Sequence, residues 1–443
     1  MCAASGYRRP EIPVRTAPDI VEPSPRFRVR VRRRRLIGMV LKELIEYRGK
    51  TSVALSRPCV YGVFSGPLGG LAPRERRCVG CLRCTVEYPD VVRIEPNPRH
   101  HRPGDGSLSP EQVETLLYEA RTGRVPVRGA GYRGRFGGTG WDGMWLDMSE
   151  IVRPTRDGIH GREYIATTID VGARPAYLAF DDQGELLGRQ PAVVEIAVPW
   201  VLDAVGLPGR VARVLAVAAA EIGTLALIPA AVAARHNLTG PQVVPLVGGP
   251  DAPPGVSRVI ALDGWDPERF GALRRAYPES IWWVRLPADA DVTEPARAGA
   301  GVIQLVGRDG RFLGDLIARA HDRLVAARCR DQVTVVASGG VVAADQVPKA
   351  IACGADAVGL DVAIWTALQG TGTAPTIPRF SQQWGTWRII NLAASWRDQL
   401  IEVLGAMGLR EARRLRGERG RLLLQDELER EAFGGIPGYH GDR

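Results

Sequence analysis

The stretch V-V-A-S-G-G-V, from Val335 to Val341, decides the fold class. Its apolar β-branched residues predict a buried strand, and the Gly-Gly pair predicts a tight turn directly after it. A second stretch, A-C-G-A-D-A-V-G-L from Ala352 to Leu360, again predicts a strand. The intervening D-Q-V-P-K-A-I, from Asp345 to Ile351, predicts a helix. A strand, a crossover helix and a second apolar strand indicate a parallel sheet that is buried on both faces.

The same alternation of apolar and helical runs extends upstream. Eight short runs rich in Val, Ile and Leu predict an α/β protein with a (β/α)8 TIM barrel. A doubly wound open sheet is the alternative, because the connections after Val247 and Leu262 look short. The predicted strands are V-V-E-I-A-V from Val193, T-L-A-L-I from Thr224, V-V-P-L-V from Val243, R-V-I-A-L from Arg258, I-W-W-V-R-L from Ile281, V-I-Q-L-V from Val302, V-T-V-V-A from Val333 and A-V-G-L-D from Ala357.

The turns around predicted strands seven and eight indicate a phosphate site. In parallel barrels the loops there commonly hold phosphate, and glycines let backbone N–H groups approach its oxygens. The alternative is that these glycines serve only the tight turns of the fold. The predicted cofactor-binding residues are Ser338, Gly339, Gly340, Gly354, Asp356 and Gly359.

Three cysteines fall in the run C-V-G-C-L-R-C, from Cys78 to Cys84. This is the spacing of the bacterial iron–sulfur run C-x2-C-x2-C-x3-C-P, although Tyr88 stands at its fourth position. Because such clusters need soft thiolate ligands, we predict a [4Fe–4S] cluster on Cys59, Cys78, Cys81 and Cys84. A [3Fe–4S] cluster on the last three cysteines, a zinc site and a vestigial loop are the alternatives.

Cysteine usage and hydropathy also bear on location. Seven cysteines, three of them in one run, are more typical of a metal site in a reducing compartment than of a disulfide framework. The run from Leu215 to Ala234 is about long enough to span a bilayer, but Glu221, Gly223 and Pro229 interrupt it. We predict a helix, a strand and a second helix there, and a cytoplasmic protein without membrane association.

The chain is basic, with 58 Lys and Arg residues against 49 Asp and Glu residues and a net charge of +9. Its densest basic run, Arg28 to Arg35, lies in a segment predicted to be an extended arm. No aromatic stacking motif is interleaved with this run, so it predicts a solvated or partner-facing arm rather than nucleic-acid binding.

The motif S-G-G-V-x7-K-A-I-A-C-G-A-D-A-V-G resembles the FMN-binding barrel domain of glutamate synthases. The segments Trp141 to Tyr164 and Asn391 to Gly408 are also similar to glutamate-synthase-related proteins that carry an iron–sulfur segment before the barrel. The resemblance implies an FMN-dependent oxidoreductase in which electrons pass from the cluster to FMN. They then reduce 2-iminoglutarate, formed from 2-oxoglutarate, to glutamate. An amidotransferase subunit and an electron-donor subunit are the partners that it implies.

The resemblance divides the chain into five segments and leaves three functional alternatives. An N-methylglutamate synthase subunit, an FMN-dependent oxidase of the 2-hydroxy-acid type and a degenerate, non-catalytic electron-transfer subunit are the alternatives. The predicted segments are a basic arm and helix (1–54), an iron–sulfur, ferredoxin-like segment (55–100), a linking region (101–190), an FMN-binding barrel (191–385) and C-terminal helices (386–443).

The sequence departs from the glutamate synthase pattern at residues that bear on catalysis. FMN barrels usually place a lysine on a strand near the flavin, yet none of the three lysines here lies on a predicted strand. Arg285 is predicted to take that place, with a surface salt bridge as the alternative. Of the glycine-rich motif after strand six, only Asp309 and Gly310 match. Asp309 is predicted to orient substrate or relay a proton, with a cap or turn residue as the alternative. Asp263 and Asp361 also follow predicted strands.

Overall fold

A computed structural model provides the coordinates of the chain. It describes residues 11–22, 24–51, 53, 59–98, 108–126, 137–148, 164–174, 179–187, 192–249, 253, 255, 257–307, 310–370 and 377–428. The chain divides into two compact units. The N-terminal unit comprises Asp19–Glu114 and Val125–Arg135, and the barrel unit comprises Met1–Pro18, Thr115–Arg124 and Phe136–Arg443. The five predicted segments divide the chain more finely and stay a prediction.

The N-terminal unit contains a two-stranded antiparallel sheet and short helices. Strand β1 (Phe27–Val31) pairs with β2 (Val92–Pro96). Helix α1 (Arg33–Glu46) follows β1, and α2 (Arg83–Glu87) precedes β2. Helix α3 (Pro110–Thr122) begins in this unit, and its residues from Thr115 onward belong to the barrel unit. A core of apolar residues packs inside this unit, namely Val29, Leu36, Met39, Val63, Phe64, Cys84, Val91 and Val92.

The prediction of an extended arm through the basic run is wrong. In F-R-V-R-V the apolar residues alternate with arginines, so Phe27 and Val29 are buried while the arginines lie on the other face. Acidic residues partly neutralise the run. Arg30 lies 2.7 Å from Glu95, and Arg35 lies 2.6 Å from Asp90. A period of two in a charged stretch was the signal for a strand.

The barrel unit begins with short strands and continues with a closed parallel barrel. The strands before the barrel are β3 (Met144–Leu146), β4 (Ile169–Gly172), β5 (Ala179–Phe180), β6 (Leu186–Leu187) and β7 (Val193–Ile196). The barrel strands are β8 (Trp200–Asp203), β9 (Ala226–Pro229), β10 (Val243–Val247), β11 (Val259–Asp263), β12 (Ile281–Pro287), β13 (Val302–Val306), β14 (Thr334–Ser338) and β15 (Ala357–Leu360), and β16 (Leu422–Leu424) follows near the C-terminus.

Eight further helices belong to the described part of the barrel unit. Most of them connect successive barrel strands, as crossovers in a parallel barrel do. They are α4 (Gly209–Ile222), α5 (Ala230–Arg235), α6 (Pro267–Ala276), α7 (Thr293–Ala298), α8 (Leu313–Ala326), α9 (Gln346–Cys353), α10 (Val362–Ala367) and α11 (Gln382–Ala406).

The barrel closes because β8 pairs with both β9 and β15. All eight neighbouring pairs are parallel. The predicted (β/α)8 barrel is therefore confirmed, and the open sheet is excluded. The segment from Leu215 to Ala234 forms α4, β9 and α5, as predicted. Among the described residues, no helix is long and apolar enough to cross a bilayer.

The first predicted barrel strand is wrong. Val193–Ile196 alternates exposed and buried residues and pairs antiparallel with β4. The first barrel strand is W-V-L-D, in which all four residues are buried. Val194 and Ile196 instead pack with Ile169 and Val171 against the apolar residues inside the barrel. Strand β7 thus belongs to a hairpin-like pair that covers the interior.

Helix α11 packs as part of the barrel unit. The indole of its Trp396 contacts that of Trp200 edge to face, with ring centroids 6.3 Å apart. The guanidinium of Arg388 is fully buried and donates to the carbonyls of Ala367 and Ala17. Buried arginines are tolerated only when such acceptors surround them, so this helix is fixed in place by polar as well as apolar contacts.

Candidate active site

Polar side chains replace apolar ones at the carboxyl ends of the barrel strands. We call Asp203, Asp263, Arg285, Gln304 and Ser338 the polar layer; each lies at or near the carboxyl end of its strand. Below them the interior is filled by residues such as Trp283 and Val336. Because catalytic groups of (β/α)8 enzymes lie at this end of the barrel, the polar layer marks the candidate active site.

Gln304 is the centre of a hydrogen-bond network that crosses the barrel interior. Its Nε2 donates to Oδ2 of Asp203 at 2.9 Å and to Oγ of Ser338 at 2.7 Å. Its Oε1 accepts from the indole Nε1 of Trp283 at 3.2 Å. Gln304 is fully buried, so an unpaired amide would be costly there. The three hydrogen bonds fix the orientation of the amide, and both of its N–H groups have an acceptor.

Asp203 is a buried carboxyl whose pKa lies close to neutrality. Burial, with a smaller contribution from the nearby carboxylate of Asp361, raises its pKa from 3.8 to about 6. The N–H of Val205, the charge of Arg285 and the amide of Gln304 act in the opposite direction. Sequence reasoning missed Asp203, since it placed the first strand at Val193 and left W-V-L-D unassigned. An acidic residue ending an apolar run was the available signal.

Arg285 lies on β12 beside Asp263 of β11, with which it is in register. Its Nη1 donates to Oδ1 of Asp263 at 3.0 Å. The Arg285 side chain is mostly buried, whereas that of Asp263 is half exposed. Its Nε is buried and has no hydrogen-bond partner among the described residues. Arg285 therefore has, besides its ion pair, a buried Nε donor without a partner among the described residues.

The Ser-Gly-Gly turn ends β14. Gly339 and Gly340 have φ angles of +108° and +89°, which favour glycine. A Cβ at Gly339 would lie 2.6 Å from the carbonyl oxygen of Gly307, so this position needs glycine for packing. A Cβ at Gly340 would meet nothing within 4 Å, so Gly340 borders open space. The turn therefore has one face that a ligand can approach.

Ser338 and Gly359 lie side by side, but inside the barrel. They are register partners on β14 and β15, and a Cβ at Gly359 would lie 2.0 Å from Oγ of Ser338. The Ser338 hydroxyl is buried and accepts from Gln304. The structure thus places Ser338 in the polar layer, where it does not line the open side of the turn.

Gly354 and Asp356 lie at the opposite end of the barrel from the Ser-Gly-Gly turn. Both precede β15, and the carbonyl of Gly354 accepts from Nη2 of Arg330 at 2.7 Å. Asp356 forms ion pairs with Arg330 at 2.8 Å and Arg416 at 3.2 Å. Burial opposes its ionisation, but these two guanidinium groups lower its pKa. In (β/α)8 barrels, phosphate binds at the loops that follow the carboxyl ends of the strands. Gly354 and Asp356 lie before the amino end of β15, so the structure places them away from the predicted phosphate site.

The four predicted cluster ligands lie together in the N-terminal unit. Positive φ angles at Gly80 and Leu82 bend the chain between successive cysteines. Burial, with smaller contributions from the nearby thiols of Cys84, Cys59 and Cys81, raises the pKa of Cys78 to about 11.

Other features of the cysteine segment bear on the predicted cluster. Tyr88 donates its hydroxyl to Glu43, and burial together with this bond raises the pKa of the phenol. Among the described residues, no group of three or more His, Cys, Asp or Glu side chains is arranged to hold one metal ion. A cluster spreads its ligands over several irons, so the cluster stays a prediction.

Some predicted residues fall elsewhere. Asp309 lies outside the described residues, as does most of the segment from Trp141 to Tyr164. Asp361 directly follows β15 and accepts from the N–H of Val362 at 2.6 Å. Burial raises its pKa, while the N–H groups of Val362 and Gly340 and the charge of Arg285 lower it.

Residues 298–371 match a family model described as a conserved region in glutamate synthase. The chain is 25% identical to an archaeal-type glutamate synthase [NADPH] of Dehalococcoides mccartyi, over 78% of this chain and 87% of the relative. It is also 25% identical to an archaeal glutamate synthase [NADPH] of Archaeoglobus fulgidus, over 79% and 86%. The resemblance to glutamate synthases is therefore confirmed over most of the chain.

Two solved structures are also similar to this chain, at low sequence identity. A mandelate oxidase mutant with a monooxide FMN adduct is 16% identical, with a TM-score of 0.44 over 73% of this chain and 93% of the oxidase. A lactate oxidase of Pediococcus acidilactici is 16% identical, with a TM-score of 0.38 over 52% and 77%.

Proposed function

We propose that this protein is an FMN-dependent oxidoreductase of the glutamate synthase type, which reduces 2-iminoglutarate, formed from 2-oxoglutarate and ammonia, to glutamate. One observation carries the proposal. The region that matches glutamate synthases, residues 298–371, spans β13 to β15 and supplies Gln304, Ser338 and the Gly-Gly turn. The sequence similarity and the polar layer thus coincide at the carboxyl end of the barrel.

The residues present fit FMN at this end of the barrel. The open face of Gly340 and the adjacent Gly339 would hold the phosphate, because a turn with positive φ angles presents backbone N–H groups to an anion. Gly359 keeps β15 close to this turn. The guanidinium of Arg285 would place a positive charge near the ring system, the role that a strand lysine takes in the barrels that this chain resembles. When bound, FMN would supply hydride transfer.

The other residues of the polar layer would position these groups. Gln304 holds Asp203 and Ser338 in fixed orientations below the mouth. The ion pair with Asp263 limits the rotamers of Arg285 and so keeps Nε at one height in the barrel. Asp203, with a pKa of about 6, can gain or lose a proton near neutral pH. It would therefore accept or donate a proton within the polar layer. Asp309 remains a candidate for orienting substrate.

Electrons would reach the flavin from a [4Fe–4S] cluster on Cys59, Cys78, Cys81 and Cys84. The thiols of Cys59 and Cys81 lie close enough to those of Cys78 and Cys84 to contribute to the raised pKa values of the latter two, which supports a common site. A [3Fe–4S] cluster on the last three cysteines is the alternative form. Ammonia would come from an amidotransferase partner or from solution, and an electron-donor subunit would reduce the cluster. A cytoplasmic location suits a cluster that needs reduced thiols.

The proposed function is tested with the full chain, purified anaerobically and supplied with FMN and a chemical reductant. We expect glutamate formation from 2-oxoglutarate and ammonia, and no formation without flavin. An Arg285→Met variant is expected to lose most of the activity, whereas Glu221→Gln, an exposed change on α4, is expected to keep it. Flavin binding without any turnover of 2-oxoglutarate and ammonia, or of methylamine in its place, would reject the proposed reaction.

A second candidate is a non-catalytic subunit that carries electrons within an assembly. The observation that favours it is the position of the lysines. Lys349 lies on α9 and Lys42 on α1, while Lys50 follows α1, so none is on a barrel strand. Cluster reduction without flavin binding would support this candidate over the first.

A further inference from the structure

Asp361 lies beside the turn at which the proposed function places the FMN phosphate. It directly follows β15, whose Gly359 is the register partner of Ser338 at the end of β14. The backbone N–H of Gly340, in the turn after Ser338, faces the Asp361 carboxylate, which also accepts from the N–H of Val362 at 2.6 Å. The Asp361 carboxylate therefore lies beside the turn that the proposed function assigns to the FMN phosphate.

The charges around Asp361 do not favour a second anion. Asp203, on β8 next to β15 in the barrel, is close enough for the two carboxyl groups to affect each other electrostatically. Arg285, on β12, is the cation that acts on both carboxyls, and its Nη1 is already paired with Asp263. A phosphate dianion at Gly340 would therefore meet Asp361 directly and Asp203 nearby, against one shared guanidinium.

We infer that Asp361 determines which form of flavin this barrel accepts: its carboxylate competes with the FMN phosphate for the Gly339–Gly340 turn, so that FMN binds with uptake of a proton, whereas riboflavin binds without it. This inference rests on the proposed function, because it concerns the same flavin site. Riboflavin lacks the phosphate and places no anion beside the Asp361 carboxylate. The neutral carboxyl of Asp361 can instead donate to a phosphate oxygen, which turns a repulsive neighbour into a hydrogen-bond donor.

Proton uptake has a defined signature in binding. If one proton enters with FMN, the dissociation constant for FMN rises up to about tenfold per pH unit above the pKa of free Asp361. The second ionisation of a phosphate monoester lies near pH 6, so a range of about pH 7 to 8.5 separates Asp361 from the ligand's own titration. Riboflavin should bind with a constant that is flat over this range.

The experiment measures dissociation constants of FMN and riboflavin by flavin fluorescence across that range. The proteins are the full-length wild type, Asp361→Asn, Asp361→Ser and the control Glu221→Gln. Asn and Ser both cap helices as well as Asp does, so α10 should keep its start. We expect both Asp361 variants to bind FMN about tenfold or more tightly than the wild type at the highest pH. Their FMN affinity should be independent of pH, while riboflavin affinity and the control are unchanged.

Three other outcomes are decisive. Equal FMN affinity in the wild type and both Asp361 variants would overturn the inference and leave the proposed function standing. A parallel gain for FMN and riboflavin would overturn it as well, since Asp361 would then act on the ring and not on the phosphate. If neither flavin binds to the wild type or to either variant, the proposed function fails and the inference fails with it.

Discussion

The buried carboxyl of Asp203 should make folding stability depend on pH, and Asp203→Asn isolates this effect. Burial raises the pKa of Asp203 from 3.8 to about 6. The folded protein therefore holds this proton more tightly than the unfolded chain does. The resulting stabilisation is fully present below about pH 4 and is lost as the pH rises through about 6.

The magnitude follows from the size of the pKa change. Each unit by which the pKa of a group differs between the folded and unfolded states is worth about 1.4 kcal/mol of stability. A rise from 3.8 to about 6 therefore corresponds to a loss of about 3 kcal/mol in the free energy of unfolding between about pH 4 and pH 7. This is a large fraction of the about 5 to 15 kcal/mol that a folded protein usually has.

The asparagine variant removes the titration but keeps the shape. Asp203 accepts from Val205 N–H with Oδ1 and from Gln304 Nε2 with Oδ2. Asparagine has one acceptor oxygen, so one of these bonds is lost at a cost of about 1 to 3 kcal/mol. This cost is the same at every pH. The change with pH in the difference between wild type and variant therefore reports the carboxyl alone.

Urea unfolding of the full chain, followed by tryptophan fluorescence at several pH values, measures the effect. The free energy of unfolding of the wild type minus that of Asp203→Asn should fall by about 3 kcal/mol from about pH 4 to pH 7. Glu221→Gln, in which the lost charge is exposed, should show no such slope. A flat difference would refute the reasoning. A difference that rises with pH would mean that Arg285 lowers the pKa more than burial raises it.

Arg285→Met should weaken FMN binding about tenfold and make the flavin harder to reduce, since the lost charge stabilises the anionic reduced form; equal binding and an unchanged reduction potential, measured by dye equilibration, would contradict this. Cys59→Ala should change the EPR spectrum of the cluster, while Cys329→Ala, a buried cysteine in the barrel unit, should not. If Cys59→Ala leaves the spectrum unchanged, a three-cysteine site is correct. Asp356→Asn should lower the free energy of unfolding by about 3 to 5 kcal/mol, because it leaves Arg330 buried and only partly paired. The FMN affinity of the folded Asp356→Asn variant should stay within about twofold of the wild type. A large loss of affinity would show that Asp356 contributes to flavin binding after all.

Most of the barrel could be predicted from the sequence. Seven of the eight barrel strands overlap the predicted apolar runs, because a parallel strand buried on both faces needs nearly continuous apolar residues. The exception, Val193–Ile196, is apolar but alternates in exposure. A single sequence does not show which partner strand a short apolar run will choose, and here it pairs with β4 outside the barrel.

The sequence also pointed to Arg285 and the Ser-Gly-Gly turn, which are unusual residue types for strand ends, and their functional roles stay predictions. It gave no signal that would place Gln304 and Asp203 in the same polar layer. Their significance depends on a hydrogen bond between β8 and β13, which are not neighbours in the barrel. Contacts across a closed barrel join residues that are far apart in the chain, and no local pattern records them.

The sequence alone therefore determined the residue types, the order of the elements and the resemblance to glutamate synthases. Only the tertiary structure decided which end of the barrel each residue occupies. Gly354 and Asp356 are close to Gly359 in sequence, yet β15 runs between them and the mouth, and their partners are Arg330 and Arg416. Because a strand carries its two ends to opposite faces of the barrel, a few residues along the chain separate a fold-stabilising ion pair from a ligand site.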